Sequence, residues 1–245
     1  MSQHTWNTSV INNFSWQTPT HPLLLDMVET VRNHKKQDYC YSLNSIPRDN
    51  RGILILGKKT ERKKAAKLLN QTFENKVNIK WKGKKITNIS IKDGKTLSEK
   101  QQIVFNTFSK VINNDQVTKF KAVSGKKREK VIGGAARDKI QLLDFQDMID
   151  TENITDGKIS ALGIFVHEVE EAYQIQQEGI DYNDGAHQAG LDVQSEIDGY
   201  ESMEGKFIRN GSSHNSGYAI YHVIVKKTGK VQTIDYKIEK GNPTR

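Results

Sequence analysis

Leu162-Gly163-Ile164-Phe165-Val166-His167-Glu168-Val169-Glu170-Glu171-Ala172-Tyr173 is the stretch that decides how this chain is read. The apolar lead-in from Leu162 to Val166 predicts a helix that starts buried, which puts His167 on the floor of a cleft rather than on an open face. Residues i and i+4 of a helix share one face, so His167 and Glu171 can point together at one cation. Glu168 follows the first candidate ligand directly, where a water activated by that cation would need a base.

The pattern is that of H-E-x-x-H metal sites with the second histidine replaced by Glu171. Catalytic zinc accepts carboxylate oxygen as well as imidazole, and two histidines with one glutamate are an accepted ligand set. The missing histidine is sought downstream. His187, in Asp184-Gly185-Ala186-His187-Gln188-Ala189-Gly190, opens a second stretch with helical spacing, flanked by Gly185 and Gly190, which would let two helices approach closely. His167, Glu171 and His187 are therefore the candidate ligands of Zn2+, with Glu168 as candidate general base. Glu196 is an alternative third ligand in place of His187. The plain reading of His-Glu-x-x-Glu alone is an amphipathic helix with a charged outer face.

Val166-His167-Glu168-Val169-Glu170-Glu171-Ala172-Tyr173-Gln174, followed by Tyr182-Asn183-Asp184-Gly185-Ala186-His187, resembles the zincin-like metallopeptidase domains at the C-termini of bacterial polymorphic and Rhs-type toxins. The shared features are the H-E-x-x-E-A-Y core and the later alanine-histidine pair, within about residues 160 to 200. The resemblance implies a zincin-like α+β fold, with a mixed or antiparallel sheet packed against an active-site helix and a second helix. It implies a zinc-dependent metalloendopeptidase acting as a secreted or injected effector on a protein substrate, with a secretion or injection apparatus and an immunity protein as partners. The same ligands and base carry over by motif.

Composition sets the outer bounds. The chain has 245 residues, of which 35% are hydrophobic, and its polar, Asn- and Ser-rich opening predicts a flexible segment over residues 1–45 ahead of one domain over 46–245. No run approaches the roughly 18 apolar residues of a membrane span. Leu23-Leu24-Leu25 is too short for a secretory leader and lacks preceding basic residues. The expectation is a soluble protein made in the bacterial cytoplasm and delivered without a cleaved signal peptide. Cys40 is the only cysteine, which excludes an intrachain disulfide and a Cys-rich zinc cluster; with no evident partner base it reads as an inert thiol.

The net charge of +8 conceals a division. Residues 51–140 hold 24 Lys and Arg against 7 Asp and Glu, whereas residues 141–204 hold 16 acidic residues and only Lys158. The candidate metal site lies in the acidic half, whose carboxylates raise local cation concentration. The basic half could be a solvated surface, or could bind an acidic partner, nucleic acid or anionic membrane. Two further readings follow: a nucleic-acid-binding protein or metal-dependent nuclease using the basic segment, and a non-catalytic interaction module. Mixed His and carboxylate ligation suits zinc better than magnesium, which weighs against phosphodiester chemistry.

Periodicity predicts a buried strand at Gly52 to Leu56, a helix from Thr60 to Asn75, a hairpin of Val77 to Trp81 with Ile86 to Ile91, and a helix from Thr96 to Asn113 capped by Ser98 or Thr96. Strands follow at Gln116 to Ser124 and Lys139 to Phe145, the latter nominated as the sheet edge beside the site. The site helix is expected from Ile159 to Gln177 with a cap near Thr155 or Asp156. A second helix is expected from His187 to Ile208, with Val193, Ile197, Tyr200 and Met203 inward. A hairpin of Tyr218 to Val225 and Val231 to Ile238 closes the chain. Asp192, Glu196 and Asp198 are candidates for orienting the histidines, and Tyr173, Tyr182, His214 or His222 for polarising a carbonyl.

Overall fold

A computed structural model describes residues 51–124, 134–137, 140–209, 216–240 and 242–244. The expected flexible segment 1–45, with Cys40, and His214 lie outside the described residues. The fold class is α+β as expected, but with two sheets rather than one. The Gly52–Gly57 run is β1, an apolar strand at the centre of a mixed sheet of order β2-β3-β1-β4-β6-β5. The other strands are β2 (Val77–Lys82), β3 (Lys85–Ile91), β4 (Val117–Ala122), β5 (Gly134–Arg137) and β6 (Ile140–Leu143). β1 and β6 run parallel to β4, while the remaining pairs are antiparallel. A second, antiparallel sheet of order β10-β9-β8-β7 is made by β7 (Tyr200–Arg209), β8 (Gly217–Val225), β9 (Lys230–Glu239) and β10 (Asn242–Thr244).

The described α-helices are α1 (Lys59–Phe73), α2 (Glu99–Asn113), α3 (Phe145–Ile154), α4 (Ala161–Tyr173) and α5 (Ala186–Asp198). α2 starts at Ser98 in a reciprocal capping box with Gln101. α4 is the central helix, and every residue from Ala161 to Ala172 is buried. A helix with no solvent face must be covered on all sides. Phe165 meets Phe108 of α2 at 5.6 Å and Phe145 of α3 at 5.0 Å, both edge-on. After α4 the chain widens into a π-helical turn, Gln174–Glu178. Gln176 uses its amide to bond both the N–H and the C=O of Lys119, continuing β4 where its pairing with β6 ends.

Four expectations are corrected. Lys139 to Phe145 is not the sheet edge: β6 lies between β4 and β5, so β5 is the terminal strand. The residues after β6 form α3, capped by Asp144, whose carboxylate accepts from Gln146 and Asp147. Thr155 closes α3 and Asp156 sits in the following turn at φ 52°, so the cap of α4 is Ser160. The second helix does not reach Ile208. Gly199, at φ 84°, ends α5 in the left-handed region, and residues from Tyr200 form β7. Tyr200 and Met203 are both buried as their spacing suggested, but a bulge between Tyr200 and Ser202 shifts the register. One extra residue in a strand puts positions three apart on one face, which imitates a helical repeat.

Candidate metal centre

α4 brings His167, Glu168 and Glu171 to the face that meets α5, and the first turn of α5 adds His187. Ser160 holds the start of α4 in place. Its hydroxyl accepts from Gly163 N–H at 2.9 Å and donates to Asp198 at the far end of α5, so one cap ties the two site helices together. Gly190 permits their close approach, because a Cβ there would lie 2.7 Å from Cδ2 of the His167 ring.

His167 Nε2 lies 3.3 Å and His187 Nδ1 lies 3.0 Å from the same Glu171 oxygen, Oε2. The ligand atoms of His167, Glu171 and His187 all lie within 4.8 Å of one another, a group that could hold a metal ion. His167 and Glu171 are buried and His187 is half-buried, so the group opens on one side. The two imidazole rings meet edge-on at 4.9 Å, and Tyr182 stacks on His187 at 4.7 Å. Glu196 is exposed and outside this group. His187, not Glu196, is brought to the pair on α4.

Two glutamines complete the surroundings. Gln194 Oε1 lies 3.0 Å from His167 Nδ1, and its amide nitrogen lies 3.5 Å from Asp198. The Gln194 carbonyl fixes the ring through Nδ1 and so turns Nε2 toward Glu171. Gln141, on β6, donates to Glu171 Oε1 at 2.8 Å and to Glu168 Oε2. Of the three expected orienting carboxylates, Asp198 acts through Gln194, while Asp192 is exposed and bound by Gln188. Neither glutamine was anticipated. Gln194 lies seven residues after His187 on α5, a spacing that marks the same face, but Gln141 has no such signal in the sequence.

Glu168 is 7% exposed. Burial, and next the charge of Glu171, push its carboxyl well above the usual range, against the opposing hydrogen bond from Gln141. Burial would also raise Glu171, but hydrogen bonds from His167 and His187 outweigh it and hold that carboxyl at about 2. The two carboxyls are therefore pushed in opposite directions: Glu171 is held as an anion, while Glu168 is shifted toward its protonated form.

The site opens into a cavity of 580 Å3 between α4, α5 and the second sheet, and Tyr182 lies at its mouth. Burial, then Glu171 and Glu168, push the Tyr182 phenol up to about 12, so it remains a donor. Tyr173 faces elsewhere, bonded to Glu178 and beneath Lys110. His222 is exposed on β8 with Thr233 as its partner. Among the described residues, no helix is long and apolar enough to cross a membrane. Neither a family model, a curated protein nor a solved structure matches the chain.

Proposed function

We propose that the chain is a zinc-dependent endopeptidase of the zincin-like kind, and that it acts as a delivered bacterial effector. The observation that carries the catalytic reading is the convergence of two imidazoles and one carboxylate on an open-sided point, with a second buried carboxyl, Glu168, beside it. The residues fit a zinc ion: the donor set is one that zinc accepts, Gln194 directs His167 Nε2 inward, and Gly190 leaves room for the ring. The effector role is supported by the motif resemblance.

A zinc ion held there would act as a Lewis acid toward a carbonyl and lower the pKa of a water. The remaining steps belong to the chain. Glu168 accepts a proton from the attacking water as the new C–O bond forms, then delivers it to the amine as the C–N bond breaks. The Tyr182 phenol donates a hydrogen bond to the developing oxyanion. Gln141 holds Glu168 beside Glu171 and so fixes the distance over which the proton moves.

The test is Glu168→Ala. It should keep about one zinc per chain by elemental analysis, as a four-coordinate site with three protein ligands would, and lose peptide hydrolysis by about 10²- to 10⁴-fold. Full activity in that variant removes the mechanism.

A further inference from the structure

We propose that the site takes an extended peptide along the free edge of β7 and seats a bulky apolar or aromatic side chain in the hollow of the second sheet. This inference rests on the peptidase reading above. The candidate ligands His167, Glu171 and His187 line a 580 Å3 cavity, a size within the range that holds sizeable organic ligands. Its other walls include the apolar and aromatic side chains of Ile164, Leu191, Phe207, Tyr221 and Tyr236.

The hollow arises from how residues pair across three strands. Gly205 of β7 is opposite Tyr221 of β8, Phe207 is opposite Ala219, and Ala219 is in turn opposite Tyr236 of β9. Small residues thus alternate with aromatic ones on the face toward the helices. A Cβ on Gly205 would lie 2.9 Å from Cε1 of Tyr221, so that ring already covers the glycine. Tyr221 and Tyr236 stack at 6.3 Å with their planes 18° apart. Ile164 of α4 and Leu191 of α5 face them across the gap. An aromatic or large aliphatic side chain entering here would exchange water for ring faces and methyl groups, whereas alanine would leave the hollow unfilled.

The path of the main chain follows from β7. Consecutive strand residues point to opposite faces, yet Gly205, Lys206 and Phe207 all line the cavity. That is possible where the strand borders the space by its edge. Among the described strands β7 pairs only with β8, so its other edge offers unpaired main-chain groups to an added strand. Lys206 and Arg209, both exposed, bring positive charge to this border. A basic substrate side chain would meet like charge there, so selection acts against it as well as for apolar ones.

The test uses full-length protein with zinc and fluorescently labelled peptides of one scaffold, differing at a single position: phenylalanine, leucine, alanine or lysine. Binding to Glu168→Ala is read by anisotropy, and cleavage by the wild type is read by mass spectrometry. The phenylalanine and leucine peptides should bind about ten- to a hundredfold more tightly than the alanine peptide, with the lysine peptide weakest. Gly205→Val, which displaces Tyr221, should remove that preference. Phe207→Ala, which enlarges the hollow without adding atoms, should weaken phenylalanine binding and serves if Gly205→Val does not fold. Equal binding of all four peptides, with cleavage intact, overturns the inference and leaves the peptidase standing. Apolar preference in binding without any cleavage by the wild type supports the groove and overturns the peptidase.

Discussion

Glu170 and Glu171 are neighbours on α4 and are almost equally buried, at 3% and 2% exposure, yet their charges are met in different ways. Glu170 has a cation: Lys110 Nζ lies 2.6 Å from both its oxygens, and Gln174 adds an amide at 2.6 Å. Glu171, with Glu168 beside it, has two imidazoles and one glutamine amide. Among the described residues, no lysine or arginine is paired with either. A buried carboxylate is stable only if it is paired, coordinated to a metal or protonated. One face of α4 is therefore closed by the protein itself, and the other is arranged so that a divalent ion can close it.

The strongest way to break this comparison is to add the ion. With free zinc about a thousandfold above its dissociation constant, the free energy of unfolding should rise by about 4 kcal/mol, and a chelator should reverse the gain. His187→Ala should abolish most of the rise, since it removes one of three ligands while leaving the Lys110 pair intact. Urea melts with and without zinc give the number. An unchanged midpoint would mean that the open face of α4 is not a metal site, whatever its geometry.

A smaller effect is expected on the closed face. Lys110→Met leaves Glu170 buried without its cation, and removing one partner of a deeply buried pair costs about 3–5 kcal/mol. The Lys110 side chain is 43% exposed, so water already screens the pair, and the expected loss is about 2 kcal/mol. Adding Glu170→Leu should restore most of it, because the orphaned charge is then gone. Zinc should stabilise the single and double variants as much as it does the wild type. If zinc loses its effect when Lys110 is changed, the two faces are not independent and the contrast between them fails.

How much of this was legible in sequence depends on how local each signal is. The site helix and the shared face of His167 and Glu171 were readable because i and i+4 spacing is a property of one short segment, and His187 because it opens a second helical stretch beside Gly185 and Gly190. The regular elements around them were also readable: β1, the β2-β3 hairpin, α1, α2 and the final hairpin occupy almost the expected ranges. What failed required knowledge of pairing. The bulge at Tyr200 gave a strand the spacing of a helix, and the position of β6 depends on a neighbour, β5, in a short glycine-rich stretch with little apolar pattern. Gln141 and Gln194 escaped for a related reason. An amide side chain is ambiguous until its partners are known, and theirs are 27 residues distant in sequence.

Asp147 of α3 sharpens the comparison further, because it is a buried carboxyl with neither kind of partner. It is 2% exposed, and its Oδ2 has no hydrogen-bond partner among the described residues. Burial, then the charges of Asp144 and Asp150, raise its pKa to about 8, with Lys64 of α1 acting in the opposite direction; Tyr236 of β9 is a further titratable neighbour. The third solution is thus to remain protonated. The folded state keeps this proton between about pH 4 and pH 8 while the unfolded chain has released it, so the native state binds more protons there and stability must fall as pH rises through that window. Asp147→Asn holds the neutral shape at every pH. It should match the wild type at pH 4 and exceed it at pH 8 by something on the order of 2 kcal/mol, as read from urea melts of metal-free protein at the two pH values. Metal-free protein is essential, since metal affinity is itself pH-dependent. A difference that is the same at both pH values would mean that Asp147 is charged in the fold, and that some cation answers it as Lys110 answers Glu170.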